Sequence, residues 1–264
     1  MIFASDLDNT LIHSKQHIPK DTTVICVEYI KDKQKPDTYM TPKAISLLNE
    51  IALKCQFIPV TAREIKQFKR IFNMEHCPYA ITSNGAVIFD HGKKIQEWEK
   101  IIAKITETES NHYIQITNKL NEYAYLFEKP PRIVDNTVIM TKLLTTLESN
   151  HPFIKQLTQY IEQMDWNITI QQKKIYIAPH TISKEKALAF LLNKLKFQTL
   201  ITAGDGAMDL NFINQGDIRF LPKDSEAYLY ITDHHAYHTV TNGPIGTEEM
   251  LLQIKQIIEK TNKS

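Results

Sequence analysis

Acidic residues follow two short apolar stretches of this sequence. Asp6 and Asp8 come directly after IFAS, and Asp205 and Asp209 come after TLITA, within GDGAMD. Carboxylates that crowd together repel one another, and a divalent cation is the usual way to hold them ionised. Because every candidate ligand is an oxygen atom, magnesium is favoured over zinc. We therefore predict a Mg2+ site if the fold brings the two stretches together.

Two further polar residues lie at the ends of predicted elements. Thr61 closes the apolar run FIPVT, and Lys184 lies at the start of the helical stretch SKEKAL. A site that combines magnesium, a lysine and a hydroxyl suits a phosphoryl group, whose spreading negative charge needs cations and hydrogen-bond donors. An aspartate in such a site can attack phosphorus and form an aspartyl-phosphate. The residue types thus predict phosphoryl transfer.

Short apolar strands and amphipathic helices alternate around these residues. Strands are predicted in residues 1–5, in 57–60, in YAITSNGAVIF with a break at Asn84-Gly85, in TLITA and in DIRFLP. Helices are predicted after Thr41-Pro42, over residues 65–72, from Ser183 and in GTEEMLLQIKQIIEK. This alternation favours an α/β, Rossmann-like fold with a parallel sheet, in which ligands gather at the carboxyl ends of the strands. The polar clusters should therefore meet at one edge.

Residues 86–180 have a different character. They are rich in charged and aromatic residues and combine helical patterns such as FIKQLTQYIEQM with alternating patterns such as NITIQQKKIYIAP. We predict that they form an inserted α+β domain, which divides the core domain into residues 1–85 and 181–264. A β-hairpin is predicted between residues 18 and 40.

Composition limits the possible partners. The 264 residues include 31 Lys and Arg against 30 Asp and Glu, so no overall basic field draws the chain to nucleic acid or to a membrane surface. No apolar stretch reaches the roughly 18 residues of a membrane span. Three widely spaced cysteines without a CxxC pair suit a reducing compartment. We expect a cytoplasmic protein, monomeric or homodimeric, that binds a small phosphorylated substrate.

Four motifs together resemble those of the haloacid dehalogenase superfamily. They are DLDNT, the Thr61 of FIPVT, the Lys184 of SKEKAL, and GDGAMD, in that order along the chain. The resemblance covers the core, and an insertion between the second and third motifs is typical of the type II, subclass B cap. It implies a magnesium-dependent phosphomonoester hydrolase, similar to sucrose-phosphate phosphatases, mannosyl-3-phosphoglycerate phosphatases and Cof-like hydrolases, with a sugar phosphate as the expected substrate.

The resemblance also implies a role for each matching residue. Asp6 would attack phosphorus and bind magnesium, and Asp8 would protonate the leaving oxygen, activate water and lend its backbone carbonyl to the metal. Thr61 would bind a phosphate oxygen and Lys184 would neutralise the phosphate and the nucleophile. Asp205 would complete the metal site, whereas Asp209 would support a metal ligand rather than bind the metal itself.

Two positions depart from the family pattern. Asn9 lies where many relatives have glycine, but asparagine tolerates left-handed backbone better than other side chains, so the turn can form. Met208 lies where relatives with a cap often have asparagine. The hydrogen bond of that amide must therefore be missing here or come from another residue.

Several other interpretations stay open. Arg63 and Asn84 follow core strands and are weaker candidates for binding the phosphate or contacting the inserted domain. A phosphomutase with the same nucleophile and a non-catalytic phosphate-binding regulator, suggested by Met208, are the alternative functions. Lys186 competes with Lys184 for the lysine role. The histidines of DHHAYH lack the partners of a zinc site and are interpreted as a surface loop.

Overall fold

Two compact units make up the chain. The computed structural model describes residues 1–31, 34–72, 74, 77–171, 173–231 and 236–261. The core unit comprises Met1–Lys94 and Lys184–Ser264, and the insertion unit comprises Ile95–Ser183. The first limit differs from the predicted residue 86, because Val87–Asp90 pairs with Tyr79–Thr82, and Lys93–Lys94 pairs in turn with Val87–Asp90, so these strands stay with the core unit.

The first part of the core unit contains eight strands and two helices among its described residues. The strands are β1 (Ile2–Ser5), β2 (His13–Ser14), β3 (Ile25–Ile30), β4 (Lys35–Met40), β5 (Gln56–Pro59), β6 (Tyr79–Thr82), β7 (Val87–Asp90) and β8 (Lys93–Lys94). The helices are α1 (Pro42–Ala52) and α2 (Ile65–Phe68). The Thr41 hydroxyl caps α1 by accepting a hydrogen bond from the backbone N–H of Ala44.

The insertion unit combines three helices with an antiparallel sheet, and α4 and α5 pack against that sheet. Its elements are α3 (Gln96–Thr108), α4 (Ser110–Asn121), β9 (Phe127–Val134), β10 (Val138–Leu143), α5 (Pro152–Glu162), β11 (Trp166–Gln171) and β12 (Lys174–Pro179). The strand order is β11-β12-β10-β9. One face of the sheet supplies Ile139, Ile175 and Ile177 to the buried core. Lys142 pairs across the strands with Lys129 and Lys174, so the opposite face is basic.

The second part of the core unit completes a parallel sheet. Its elements are α6 (Lys184–Leu192), β13 (Leu200–Ala203), α7 (Leu210–Ile213), β14 (Ile218–Leu221), β15 (Ala236–His238) and α8 (Gly243–Thr261). The sheet order is β15-β14-β13-β1-β5, and all four pairings are parallel. The predicted α/β core with an α+β insertion is confirmed. His238 lies in β15, whereas His234 and His235 lie outside the described residues.

The segment after β5 corrects the sequence prediction. A helix was expected over residues 65–72, but α2 ends at Phe68. The backbone N–H of Phe72 donates to Val27 in β3, and Ile71 forms a bridge to Glu28, so this segment joins the β3–β4 hairpin instead of continuing the helix. The Phe72 side chain is exposed.

Short 3-10 turns complete the fold at Lys15–His17, Ser83–Gly85, Ala124–Leu126, Ala207–Asp209 and Ala227–Leu229. Across the described ranges, no helix has both the length and the apolar composition needed to cross a bilayer.

Candidate active site

The ends of three neighbouring parallel strands bring the predicted residues to one edge. Ser5, the last residue of central strand β1, lies opposite Ala203 of β13 and Pro59 of β5. The backbone N–H of Asp6 donates to Ala203 at 2.8 Å. Asp6 follows β1 directly, and Thr61 and Asp205 each lie two residues beyond their strands, so all three leave the sheet at the same edge.

Lys184 connects two of the aspartates. Its Nζ donates to Oδ1 of Asp6 and to Oδ1 of Asp209, each at 2.6 Å, and all three side chains are buried. Burial opposes the positive charge, but Asp209 and Asp6 outweigh it and raise the pKa of Lys184 above its usual value. Lys184 is therefore a buried ammonium that binds two carboxylates, and Lys186, which is only half-buried, is not the lysine at this site.

Negative charge exceeds positive charge in this cluster. Burial raises the pKa of Asp6 to about 7; Lys184 opposes the rise, and Asp209 and Asp8 add to it. Burial likewise raises the pKa of Asp205, and the charges of Asp6 and Asp209 raise it further. Lys184 supplies one positive charge against the three carboxylates of Asp6, Asp205 and Asp209, so the cluster as it stands favours protonation or a further cation.

Asp209 is held by protein donors on both oxygens. Besides the bond from Lys184 to Oδ1, its Oδ2 accepts the backbone N–H groups of Gly206 at 2.9 Å and Asp205 at 3.2 Å. Gly204 makes this approach possible, because a Cβ there would lie 2.7 Å from the Cβ of Asp209. Asp209 thus fixes the loop that carries Asp205.

Asn9 supplies an amide next to Asp205. Its Nδ2 donates to Oδ2 of Asp205 at 3.3 Å, and its Oδ1 accepts from Nδ1 of His17 at 3.0 Å. The backbone of Asn9 is left-handed, with φ of 59°. The three side chains also line a cavity of about 380 Å3. An amide therefore does contact this acidic cluster, although Met208 cannot provide one.

Asp8 is bound by Arg63. Nε and Nη2 of Arg63 donate to the two carboxylate oxygens of Asp8, each at 2.7 Å, and Nη1 donates to Glu28 at 2.5 Å. Burial opposes the charge of Arg63, but Asp8 and Glu28 outweigh it and raise its pKa above the usual value. The structure thus directs Arg63, a candidate phosphate ligand, towards two carboxylates.

Thr61 and Asn84 are joined by a hydrogen bond between their backbones. Thr61 is fully buried, and its Oγ1 accepts the backbone N–H of Arg63 at 3.1 Å. The backbone N–H of Asn84 donates to the carbonyl of Thr61 at 3.1 Å. Asn84 has left-handed backbone with φ of 53°, in the turn between β6 and β7. The predicted break at this point is therefore a tight turn next to Thr61.

A family model described as haloacid dehalogenase-like hydrolase matches residues 3–137, just over half of the chain. The chain belongs to the haloacid dehalogenase-like hydrolases. The resemblance seen in the four motifs is confirmed. A comparison of the hydrolase with curated proteins gives no match.

Solved structures with a similar fold cover nearly the whole hydrolase. The C-terminal domain of trehalose-6-phosphate phosphatase from C. albicans has a TM-score of 0.65 and 13% identity, covering 97% of this chain and 92% of that one. The sucrose-phosphatase from Synechocystis has a TM-score of 0.64 and 13% identity over 97% and 98%. A haloacid dehalogenase-like hydrolase from B. subtilis has a TM-score of 0.60 and 16% identity over 95% and 98%. These likenesses show the fold.

The hydrolase has residues that fit the magnesium of its family. Asp6, Asp205 and Asp209 each present a carboxylate oxygen, and these oxygens lie within 4.8 Å of one another. A hard divalent cation prefers such oxygen ligands, and its two positive charges would balance the excess negative charge of the cluster. The donor set and the charge therefore agree with Mg2+.

Two contacts of the hydrolase escaped prediction from sequence. Glu28 is buried against Arg63, and Asn9 was noted as a departure from glycine, not as a donor to Asp205. The signal for Glu28 was present, since it is the one charged residue of VICVEYI. An isolated charge in an apolar strand needs a partner when it is buried.

Proposed function

We propose that this hydrolase is a magnesium-dependent phosphomonoester phosphatase that acts on a small sugar phosphate through an aspartyl-phosphate on Asp6. The observation that carries the proposal is the position of Asp6, buried at the end of β1 and held by the ammonium of Lys184 at 2.6 Å. A carboxylate fixed beside a cation and next to further carboxylates is suited to attack a phosphoryl group.

The side chains divide the proposed reaction between them. Asp6 attacks phosphorus, and the bond from phosphorus to the leaving oxygen breaks while Asp8 gives that oxygen a proton. Asp8, now a carboxylate, then takes a proton from water, which attacks the aspartyl-phosphate, releases phosphate and restores Asp6. Lys184 neutralises negative charge on the nucleophile and on the phosphoryl group. Thr61 donates its hydroxyl to a phosphate oxygen.

Asp6, Asp205 and the backbone carbonyl of Asp8 would hold the magnesium ion. When bound, Mg2+ supplies positive charge that offsets the negative charge of the phosphoryl oxygens. Asp209 has both oxygens engaged by protein donors, which supports a role in fixing the Asp205 loop rather than in binding the metal. Because Arg63 donates to both Asp8 and Glu28, its contacts favour a role in holding Asp8. Asn84 stays a candidate for binding the phosphate.

Phosphate release from a panel of compounds tests the proposal. The panel contains sugar phosphates, nucleotides, small acid phosphates and p-nitrophenyl phosphate, each assayed with Mg2+ and with EDTA. We expect turnover that needs Mg2+ and that Asp6→Asn abolishes. Asp37→Asn is the matched control, because Asp37 lies in β4 as a surface partner of Lys35 and should leave activity unchanged.

Two outcomes would contradict the proposal. Absence of turnover with every compound would favour a phosphate-binding regulator, and activity that survives Asp6→Asn would refute the nucleophile. The products separate the phosphatase from a phosphomutase, since a phosphatase releases inorganic phosphate and a mutase returns an isomeric phosphate ester. The sugar-phosphate class rests on the fold shared with sucrose-phosphatase and trehalose-6-phosphate phosphatase. The cytoplasmic location and the oligomeric state stay predictions of the sequence.

A further inference from the structure

Glu28 is a buried carboxylate outside the predicted motifs. Its side chain has no exposed surface, and it accepts hydrogen bonds from two arginines. Nη1 of Arg63 donates to Oε2 at 2.5 Å, and Nε of Arg70 donates to Oε1 at 2.9 Å. The Thr38 hydroxyl lies 3.4 Å from Oε2. Burial of an unpaired carboxylate would cost several kcal/mol, so the two arginines are needed to keep Glu28 here.

The backbone places Glu28 there through an irregularity in the hairpin. The β3–β4 register shifts on both sides of Glu28, so Val27 and Glu28 are both buried although neighbours in a regular strand point to opposite faces. The bridge between Glu28 and Ile71 fixes the same position from the other side. The geometry of the hairpin is thus arranged so that this carboxylate reaches Arg63.

Arg63 shares its planar guanidinium between Glu28 and Asp8. Glu28 takes Nη1, which leaves Nε and Nη2 as a parallel pair for the two oxygens of Asp8. A bidentate pair fixes the plane of a carboxylate as well as its position. Arg70 completes the set, in which two guanidinium groups contact two carboxyl groups.

We propose that Glu28 is a positioning residue for Asp8, acting through Arg63. By holding Nη1, Glu28 sets the plane of the guanidinium and therefore the direction in which Asp8 offers its proton to the leaving oxygen. This inference rests on the proposed function, in which Asp8 is the general acid. Glu28 itself touches neither the substrate nor the reacting atoms.

Two aryl phosphates of nearly the same shape measure this effect. The p-nitrophenolate ion leaves without needing a proton, whereas phenol, with a pKa of about 10, needs one. The value of kcat/KM reports the steps up to departure of the leaving group. In Glu28→Gln we expect kcat/KM to fall about tenfold more for phenyl phosphate than for p-nitrophenyl phosphate. This extra loss is part of the roughly 100-fold or greater rate increase that a general acid contributes.

Two further variants separate positioning from folding. Glu28→Gln combined with Arg70→Gln restores the local balance of charge and should show the same change in the ratio, with thermal unfolding used to confirm that both variants fold. Glu50→Gln is the control, since Glu50 belongs to an exposed ion pair between α1 and α8. Its ratio should equal that of the wild type.

The outcomes distinguish this inference from the proposed function. Wild-type protein that hydrolyses neither these two compounds nor any other compound of the phosphate panel would refute both. An active wild type whose Glu28 variants lose the same factor on both substrates would refute the positioning role alone. A rise in KM with kcat unchanged on both substrates would also overturn it, because Arg63 would then be binding the phosphate.

Discussion

Replacement of Lys184 by methionine should destabilise the core unit far more than an ordinary lysine substitution. The side chains of Lys184, Asp6 and Asp209 are 3%, 7% and 3% exposed, so water cannot take the place of the ammonium. Removal of one partner of a buried ion pair costs about 3–5 kcal/mol, because the remaining charges stay buried without a partner. At this chain length 1 kcal/mol corresponds to about 2–4 °C, which gives a loss of roughly 10 °C in Tm.

The loss should depend on pH in a defined direction. Lys184 opposes the burial that raises the pKa of Asp6 to about 7, so without Lys184 the pKa of Asp6 rises further. A carboxyl whose pKa is raised in the folded state stabilises the fold when protonated and loses that contribution as pH rises. The deficit of Lys184→Met relative to the wild type should therefore be larger at pH 9 than at pH 6.

Thermal unfolding in EDTA at pH 6 and pH 9 measures this deficit. Lys186→Met is the control, because Lys186 lies on the same helix but is half-buried, and it should change Tm by no more than about 2 °C, as surface substitutions do. If Lys184→Met unfolds at the same temperature as Lys186→Met, then the buried charge cluster does not stabilise the fold. A deficit that is larger at pH 6 would refute the pH argument.

Three further predictions follow from the same geometry. Mg2+ needs ionised ligands, and burial raises the pKa of Asp6 to about 7 and also raises the pKa of Asp205, so the apparent Kd for Mg2+, measured by calorimetry, should rise at least tenfold per pH unit below 7. A constant Kd between pH 5.5 and 8 would contradict this. Burial lowers the pKa of His13 from 6.5 to about 4, so the unfolded chain takes up a proton at a higher pH than the folded chain does. The free energy of unfolding, measured in urea, should therefore fall by about 3 kcal/mol as the pH drops from 6.5 to 4. His13→Gln should remove this dependence. Asn9→Gly relieves the strain of a left-handed backbone, so Tm should stay the same or rise. The same change removes the hydrogen-bond donor to Asp205, so Mg2+ affinity, again measured by calorimetry, should fall about tenfold. Unchanged affinity would show that the amide does not act on Asp205.

The parallel sheet explains why the core of the site could be predicted from sequence. Asp6, Thr61 and Asp205 each follow an apolar strand at a short, fixed distance, and parallel strands in register end at the same edge. Lys184 was predicted from its place at the start of a helix, which a local pattern can show. The sequence can therefore predict the position of a residue when that position depends only on where one element ends and on the order of strands in the sheet.

The contacts that β3 makes with its neighbours could not be predicted in this way. Alternation along VICVEYI puts Val27 and Glu28 on opposite faces, but the irregular register of the β3–β4 pair buries both. The helix expected through Phe72 ends at Phe68 because the backbone at 71 and 72 bonds to β3. The contacts of residues 71 and 72 with β3 join parts of the chain more than 40 residues apart, and no local pattern encodes their geometry or the irregular β3–β4 register.

The amino-acid sequence by itself determined the family, and its residue types and their order indicate the oxygen-rich phosphoryl-transfer site that we propose. Only the tertiary structure decided which charges face one another: Lys184 binds Asp6 and Asp209, and Arg63 binds Asp8 and Glu28. The reason is physical. Spacing along a strand is fixed by covalent geometry, whereas the pairing of buried charges is fixed by distances of a few ångströms between elements that only packing brings together.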